Sequence, residues 1–431
     1  MPDFARSTHP AVQAQLDLLS KTSPLGDRLG LERIAALLDR LGRPQDALAP
    51  LFHVAGTNGK GSTCAFLRAA LEAAGKTVHV FTSPHLVRFN ERIRVAGRLI
   101  EDDALAALLE EVIGAGGKIQ PSFFEVTAAV AFLAFARTPA DACILEVGLG
   151  GRLDATNVVD RPLVTGITSL GLDHQQFLGT RLPDIAAEKA GIAKRGVPLV
   201  TQLYPSAVGS RIGQIADAVG ATWLPRGGPW DAIAERKRLR YRDEAGEFDL
   251  PLPRLAGRYQ VLNAALAVAM LRHQDAISVP HTALSAAMGW ANWPARLQRL
   301  AEGPLSGTRE VWIDGGHNPS AARLVAGWAR RQFGKRPLHL LFASLTTKDS
   351  AAVLQPFQAV AAHVHTVPIA DHDCRSPEEL VGVAEGLALP ATSHSGLHEA
   401  IAAVPQDAPI LIFGSLYLAG QALAANDQAP D

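Results

Sequence analysis

At 431 residues the chain exceeds the roughly 250–300 residues at which a single hydrophobic core stops growing, so two domains are expected. Lys plus Arg number 41 against 42 Asp plus Glu, a balance that argues against a broad basic surface for nucleic acid or an anionic membrane. Hydrophobic residues make up 48% and aromatics only 6%, which excludes extensive disorder and points to helices packed through small side chains.

In chain order, short β-branched runs alternate with Ala/Leu-rich helical segments, the pattern of a parallel sheet with crossover helices. Strands are expected at 51–55, 78–82, 142–147, 163–168 and 197–201. Helices are predicted over 61–75, 102–115, 124–137 and 182–194. The third of these, FEVTAAVAFLAFAR, is apolar on nearly every side and belongs against a sheet. From about 221 to 256 charged and apolar residues alternate between Gly and Pro turns, which predicts a small antiparallel addition. A second α/β series follows, with strands at 310–314, 338–343, 363–367 and 410–413, read as a smaller doubly wound domain. The Pro-, Gly- and Trp-rich stretch 290–310 is the expected linker, giving domains 1–298 and 299–431, and the tail after about 421 is expected to fray.

No run approaches the roughly 18–20 uninterrupted apolar residues of a membrane span, and the opening MPDFARSTHP lacks the order of a secretory signal. A cytoplasmic location is therefore expected. Cys64, Cys143 and Cys374 form no CxxC pair and no cluster at zinc spacing, so they are read as reduced, buried, small hydrophobes.

The most informative stretch is HVAGTNGKGST, residues 53–63, between a strand and a helix. Gly56, Gly59 and Gly61 allow a tight turn with inward N–H groups, and Lys60 adds a positive charge. Ser62 or Thr63 opens a helix whose N-terminus favours an anion. With Thr57 and Asn58 these residues make an expected nucleotide-phosphate cradle. The spacing departs from the common GxxxxGK[ST] loop, because Gly61 separates Lys60 from the hydroxyl residue.

GTNGKGS resembles the ATP loop of the Mur ligase superfamily, whose members join a carboxylate to an amino acid through an acyl phosphate. Within it, the chain is most similar to the folylpolyglutamate synthase and dihydrofolate synthase family. Matches continue in order with TSPHLVRFNERI (82–93), FFEVTAAVAF (123–132), EVGLGGRLDATN (146–157), GLDH (171–174) and AAEKAGI (186–192). GRYQVLNAALA (257–267), WPARLQ (293–298), DGGHNP (314–319) and FGSLYLAG (413–420) complete the series. The resemblance implies a Mur-ligase-like α/β fold: an N-terminal P-loop ATPase domain with a mostly parallel sheet, and a smaller C-terminal Rossmann-like domain.

Moving a phosphoryl group onto a carboxylate requires neutralising charge on both reactants, which calls for Mg²⁺ beside Lys60. The resemblance implies two Mg²⁺ ions, the first held by Ser83 and Glu146 and the second with help from His174. It also implies that Lys189 is carbamylated and supports the metals as an anionic oxygen ligand. Taken alone, Glu146 reads as a turn cap, His174 as a loop histidine and Lys189 as a helix-surface lysine paired with Glu188 or with a carboxylate a turn away. Asn263, Arg296 and Asp314 are expected to meet adenine, phosphate and ribose from both sides of a domain interface. A salt bridge for Arg296 and a helix cap for Asp314 are the plainer readings. The family pattern places His317 near the γ-phosphate and the incoming glutamate, where it is also a candidate base, and Ser415 on the glutamate side.

The resemblance also implies a pterin site near residues 22–30 and near Ser122, Phe124, Asp154 and Ala155. Phe124 would stack on the ring and Asp154 would accept from its N–H groups. As structural alternatives, Phe124 is core and Asp154 caps the next turn.

The implied reaction is ATP- and Mg²⁺-dependent ligation of L-glutamate to dihydropteroate and to reduced folates, by a monomer that binds neither nucleic acid nor membrane. Two alternatives stand beside it: a synthase restricted to folylpolyglutamates, and a nucleotide-switch protein without ligase activity. A GTP switch would want an NKxD element, which the sequence lacks. A cell-wall Mur ligase would carry an extra N-terminal UDP-binding domain, for which the early phosphate loop leaves no room.

Overall fold

The runs LFHVA, VHVF, ACILE and VTGI are apolar at nearly every position, as strands covered on both faces must be. In the computed structural model, which describes residues 5–23 and 29–431, they form the centre of an eight-stranded sheet. Its strands are β1 (Leu51–Ala55), β2 (Val78–Phe81), β3 (Ile93–Val95), β4 (Arg98–Leu99), β5 (Ala142–Glu146), β6 (Val164–Ile167), β7 (Pro198–Thr201) and β8 (Thr222–Pro225). They lie in the order β4-β3-β2-β5-β1-β6-β7-β8, parallel throughout except at the β2–β3 and β3–β4 pairs.

The helix Phe123–Ala136 is buried at every position except Phe124 and Ala136, as its apolar sequence requires. A capping box starts it: Ser122 Oγ accepts from Glu125 N, and Glu125 Oε2 accepts from Ser122 N. Val12, Leu37, Leu109 and Phe132, from four helices, share one core with Phe81 and Leu145 of the sheet. The helix starting at Leu182 ends at Ala190 rather than at 194, and Gly191 O accepts from Asn157 Nδ2 at 3.1 Å instead of continuing the helix.

Strands β9 (Trp230–Glu235), β10 (Arg238–Asp243) and β11 (Gly246–Pro251) make a separate three-stranded antiparallel sheet. The expected addition began too early, because Thr222–Pro225 pairs in parallel with β7 as the last strand of the main sheet.

The chain divides into two units. The first comprises Met1–His85, Phe89–Arg254 and Gln260–Asn292; the second comprises Leu86–Arg88, Leu255–Tyr259 and Trp293–Asp431. In the second, β12 (Gln298–Arg299), β13 (Val311–Asp314), β14 (Leu338–Phe342), β15 (Ala361–Thr366), β16 (Ala391–Ser393) and β17 (Ile410–Phe413) form a sheet of order β12-β13-β17-β14-β15-β16. The expected boundary after 298 would cut β12, which pairs antiparallel with Trp312 and Ile313.

The tail is pinned rather than frayed. Asn426 Oδ1 accepts from Leu305 N and Ser306 N at 3.1 and 2.9 Å, and Asn426 Nδ2 donates to Ala301 O at 2.9 Å. Cys64 and Cys143 are buried, whereas Cys374 is half-buried. Among the described residues no helix is long and apolar enough to cross a membrane.

Candidate active site

β1 runs between β5 and β6 in the middle of the first sheet, and the loop after Ala55 leaves from its C-terminal edge, where open α/β sheets bind ligands. The segment after β6 braces this loop. Thr57 N and Asn58 N donate to Ser169 O at 2.9 and 3.3 Å, and Ser169 Oγ donates to Asn58 O at 2.9 Å. Gly56 has φ +149°, and a Cβ there would lie 1.8 Å from Thr168 Oγ1, so no other residue fits. Gly59, at φ +95°, caps the helix Lys60–Ala73, whose first turn buries Gly61, Ser62 and Thr63.

Lys60 Nζ lies 4.0 Å from Glu146 Oε1. Glu146 is the last residue of β5 and only 4% exposed, and Ser83 follows the end of β2, the strand paired with β5. The two expected metal ligands therefore leave neighbouring strands at the same edge of the sheet. His174 follows β6 on the exposed surface in a left-handed conformation (φ +49°), its backbone N–H donating to Asp173 Oδ1 at 2.9 Å.

Lys189 is 5% exposed. Burial, reinforced by the nearby positive charge of Lys60, pulls its ammonium down from its ordinary value to about 7, against the opposing pull of Asp173, Asp154 and Glu188. The motifs carrying these residues interlock backbone to backbone. Arg152 N donates to Glu188 O at 2.8 Å, and a Cβ on Gly151 would lie 2.8 Å from Glu188 O. A lysine read in isolation as a helix-surface residue is thus an interior amine close to the phosphate-loop lysine.

Of the expected pterin residues, Asp154 is 2% exposed and both its oxygens are engaged. Oδ1 accepts from Thr156 N at 2.9 Å and from Thr156 Oγ1 at 2.5 Å, and Oδ2 accepts from Leu149 N at 2.8 Å. Burial pushes its carboxyl up despite these bonds. Ala155 is buried in the adjoining turn, and the Ser122 hydroxyl is used in its helix cap. Phe124 stays half-buried, 5.9 Å from the Phe81 ring and against Gly148, where a Cβ would lie 2.4 Å from Phe124 Cζ. Of the segment 22–30, residues 24–28 lie outside the described residues.

In the second unit, Asp314 ends β13 and pairs with Phe413, the last residue of β17. Its Oδ2 accepts from Leu297 N at 2.9 Å and its Oδ1 from Gly316 N at 2.8 Å, with burial pushing the carboxyl up and Arg296 opposing. Arg296 lies over this turn, since a Cβ on Gly315 would be 2.9 Å from its Nη1. Gly414 N donates to Gly316 O at 3.1 Å, joining the DGGHNP and FGSLYLAG motifs. Half-buried His317 has its Nδ1 3.2 Å from Gly315 O, and Ser415 Oγ caps the helix Leu416–Ala425 by accepting from Tyr417 N at 3.1 Å.

Several residues of the first unit's site were not singled out from sequence: Thr168 and Ser169 beneath the phosphate loop, Gln260 against Ser62, and Asp173 near Lys189. Asp173 and Gln260 sit inside the GLDH and GRYQ motifs, which was the available signal. Among the described residues no three His, Cys, Asp or Glu side chains gather as a metal cluster.

A phosphate loop at the edge of a parallel sheet, a buried carboxylate beside its lysine, a near-neutral interior lysine and a second α/β unit define an ATP-dependent ligase of the Mur-ligase-like fold. No family model matches the chain. It is 35% identical over 355 residues to the dihydrofolate synthase/folylpolyglutamate synthase of Bacillus subtilis strain 168, covering 79% of this chain and 81% of that one. Among solved structures, E. coli FolC in complex with DHPP and ADP matches with a TM-score of 0.88 at 32% identity, over 97% of each chain. A bifunctional folylpolyglutamate synthase/dihydrofolate synthase with Mn, AMPPNP and L-glutamate bound matches at 0.84 and 30%, over 97% of this chain and 99% of that one. The chain belongs to the dihydrofolate synthase/folylpolyglutamate synthase family.

Proposed function

We propose that this protein uses ATP to ligate L-glutamate both to dihydropteroate and to reduced folate polyglutamates, acting as a cytoplasmic monomer. The carboxylate of the acceptor takes the γ-phosphoryl group, releasing ADP. The α-amine of glutamate then attacks the acyl phosphate carbonyl, the C–N bond forms as the C–O bond to phosphate breaks, and the amine's proton is lost. Lys60 in the phosphate loop offsets the charge on the transferring group. Asn263, Arg296 and Asp314 bind the nucleotide, His317 and Ser415 the glutamate, and Ser122, Phe124, Asp154 and Ala155 the pterin.

The relatives' complexes with ATP analogues and manganese bear on the need for a divalent cation. The residues of this chain suit one. Glu146 offers a buried carboxylate at a strand end, and hard cations take oxygen ligands. In this reading Ser83, Glu146, His174 and carbamylated Lys189 hold two Mg²⁺, which when bound neutralise phosphate charge. Carbamylation needs an uncharged amine to add to CO₂ with loss of a proton, and a Lys189 value near 7 keeps that amine available at neutral pH.

The single observation that carries the proposal is geometric: Lys60 of a phosphate loop at the C-terminal edge of the first sheet lies 4.0 Å from the buried Glu146 carboxylate. The test is ADP release with ATP, Mg²⁺ and L-glutamate, comparing dihydropteroate, a reduced folate monoglutamate and no acceptor, with products weighed by mass spectrometry. Turnover with both acceptors and a glutamate-sized mass gain is expected. Turnover with one acceptor would restrict the enzyme to that half, and no acceptor-dependent release would overturn the proposal.

A further inference from the structure

Gln260 lies on the helix Arg258–Arg272 and is fully buried. A buried amide must find partners for both its ends. Its Nε2 donates to Ser62 Oγ at 3.2 Å, and its Oε1 accepts from Asn263 Nδ2 at 2.9 Å. Asn263 is only 5% exposed, and its Oδ1 lies where a Cβ on Gly59 would come within 2.4 Å. Ser62 and Gly59 are both in the phosphate loop, one on each side of Lys60. Two amides separated by less than a helical turn therefore grip the loop on either side of its lysine.

We infer that Gln260 is a positioning residue that pre-forms the phosphate loop, fixing Ser62 directly and Gly59 through Asn263; this rests on the ATP reading above. Because Ser62 Oγ accepts from Gln260, the serine's own proton is left to donate elsewhere. Asn263, with one amide hydrogen held by Gln260, is likewise tied to the loop and not only to a base. The expected cost of losing the grip falls on the polyphosphate end of the nucleotide, since an ordered loop has less freedom to lose on binding.

The experiment measures the affinity of the whole protein for ATP and for inorganic tripolyphosphate by calorimetry with Mg²⁺, in wild type and Gln260→Leu. Both ligands are expected to weaken about tenfold, as for one or two lost hydrogen bonds, while KM for the folate acceptor and for L-glutamate stays unchanged. In a Ser62→Ala background, the loss from Gln260→Leu should be smaller than in the wild type, since only the arm through Asn263 is left to break. Weakened ATP with unchanged tripolyphosphate would overturn the inference, as would the same loss with and without Ser62. If circular dichroism shows Gln260→Leu unfolded, Gln260→Asn, whose amide falls one methylene short, carries the same expectations. A wild-type protein that binds neither ligand would instead overturn the ATP reading on which the inference rests.

Discussion

Lys60 and Lys189 are two lysines of opposite use, and their surroundings separate them. Lys60 faces the Glu146 carboxylate at 4.0 Å, whereas burial and the charge of Lys60 itself hold Lys189 near neutrality. Lys60→Ala is expected to lower turnover by more than about a hundredfold with folding intact, checked by acceptor-dependent ADP release; unchanged turnover would remove the phosphate-loop assignment. For Lys189 the sign follows from proton counting. The unfolded lysine holds its proton up to about 10.5 and the folded one releases it near 7, so between those values the unfolded state binds more protons. Stability should then rise across that window by up to about 1.4 kcal/mol per pH unit. Urea denaturation in CO₂-free buffer at successive pH values should show this rise in the wild type and a flatter line in Lys189→Met. Equal slopes would mean the amine is not buried as described. The motif around Lys189 was legible only through its resemblance to a known family, since taken alone the lysine reads as a surface residue of its helix. Gln260 at Ser62 was not, because a hydrogen bond between residues brought together only in space leaves no mark in a single sequence, whereas Asp154 on Thr156 N is the turn cap that its place in the sequence offered.

At the scale of elements, the long apolar runs declared themselves. The centre of each sheet, and the largely apolar helix Phe123–Ala136, follow from burial on both faces. The short pieces did not: β3 and β4 have three and two residues, too few for any period to register. Thr222–Pro225 was grouped with the small antiparallel sheet because Pro and Trp there hide its pairing with β7. The contact that matters most to the site is likewise one of elements. The Gly-rich turn after β5 meets the end of the helix Leu182–Ala190 so closely that Gly151 has no room for a side chain, with backbone atoms of Glu188 and Lys189 at 2.8 and 3.0 Å from its would-be Cβ. Backbone cannot step aside as a side chain can. Gly151→Ala should therefore destabilise the protein by about 2 kcal/mol, read from urea midpoints, and should lower turnover further by displacing Lys189. A variant with wild-type stability would show that the two elements are not in contact.

Over the whole molecule the sequence's near-neutral balance conceals an uneven distribution of titratable groups. Four of the 14 histidines, His339, His363, His365 and His394, come from three parts of the second unit's chain and meet across β14, β15 and the end of β16. His365 is 4% exposed, with Nε2 2.9 Å from His339 Nδ1 and Nδ1 2.9 Å from His394 Nε2. His363 bonds Thr392 Oγ1 at 2.9 Å, and Glu399 reaches His394 at 3.9 Å from the helix Leu397–Ala402. Burial first, and then His363, His339 and His394, hold His365 down at about 3. The unfolded histidine titrates near 6.5, so between those values the unfolded state binds a proton that the folded state refuses. The contribution is complete above about pH 6.5 and drains away as pH falls toward 3, at up to about 1.4 kcal/mol per unit for this one ring. Hydrogen exchange followed by mass spectrometry should therefore show protection in 338–342, 361–366 and 391–393 falling between pH 7 and pH 5, after correction for the intrinsic exchange rate. In His365→Leu, where no ring remains to be charged at the centre of the row, the fall should be shallower. An equal fall in both proteins would place the acid sensitivity in other groups and leave the row of histidines as packing alone.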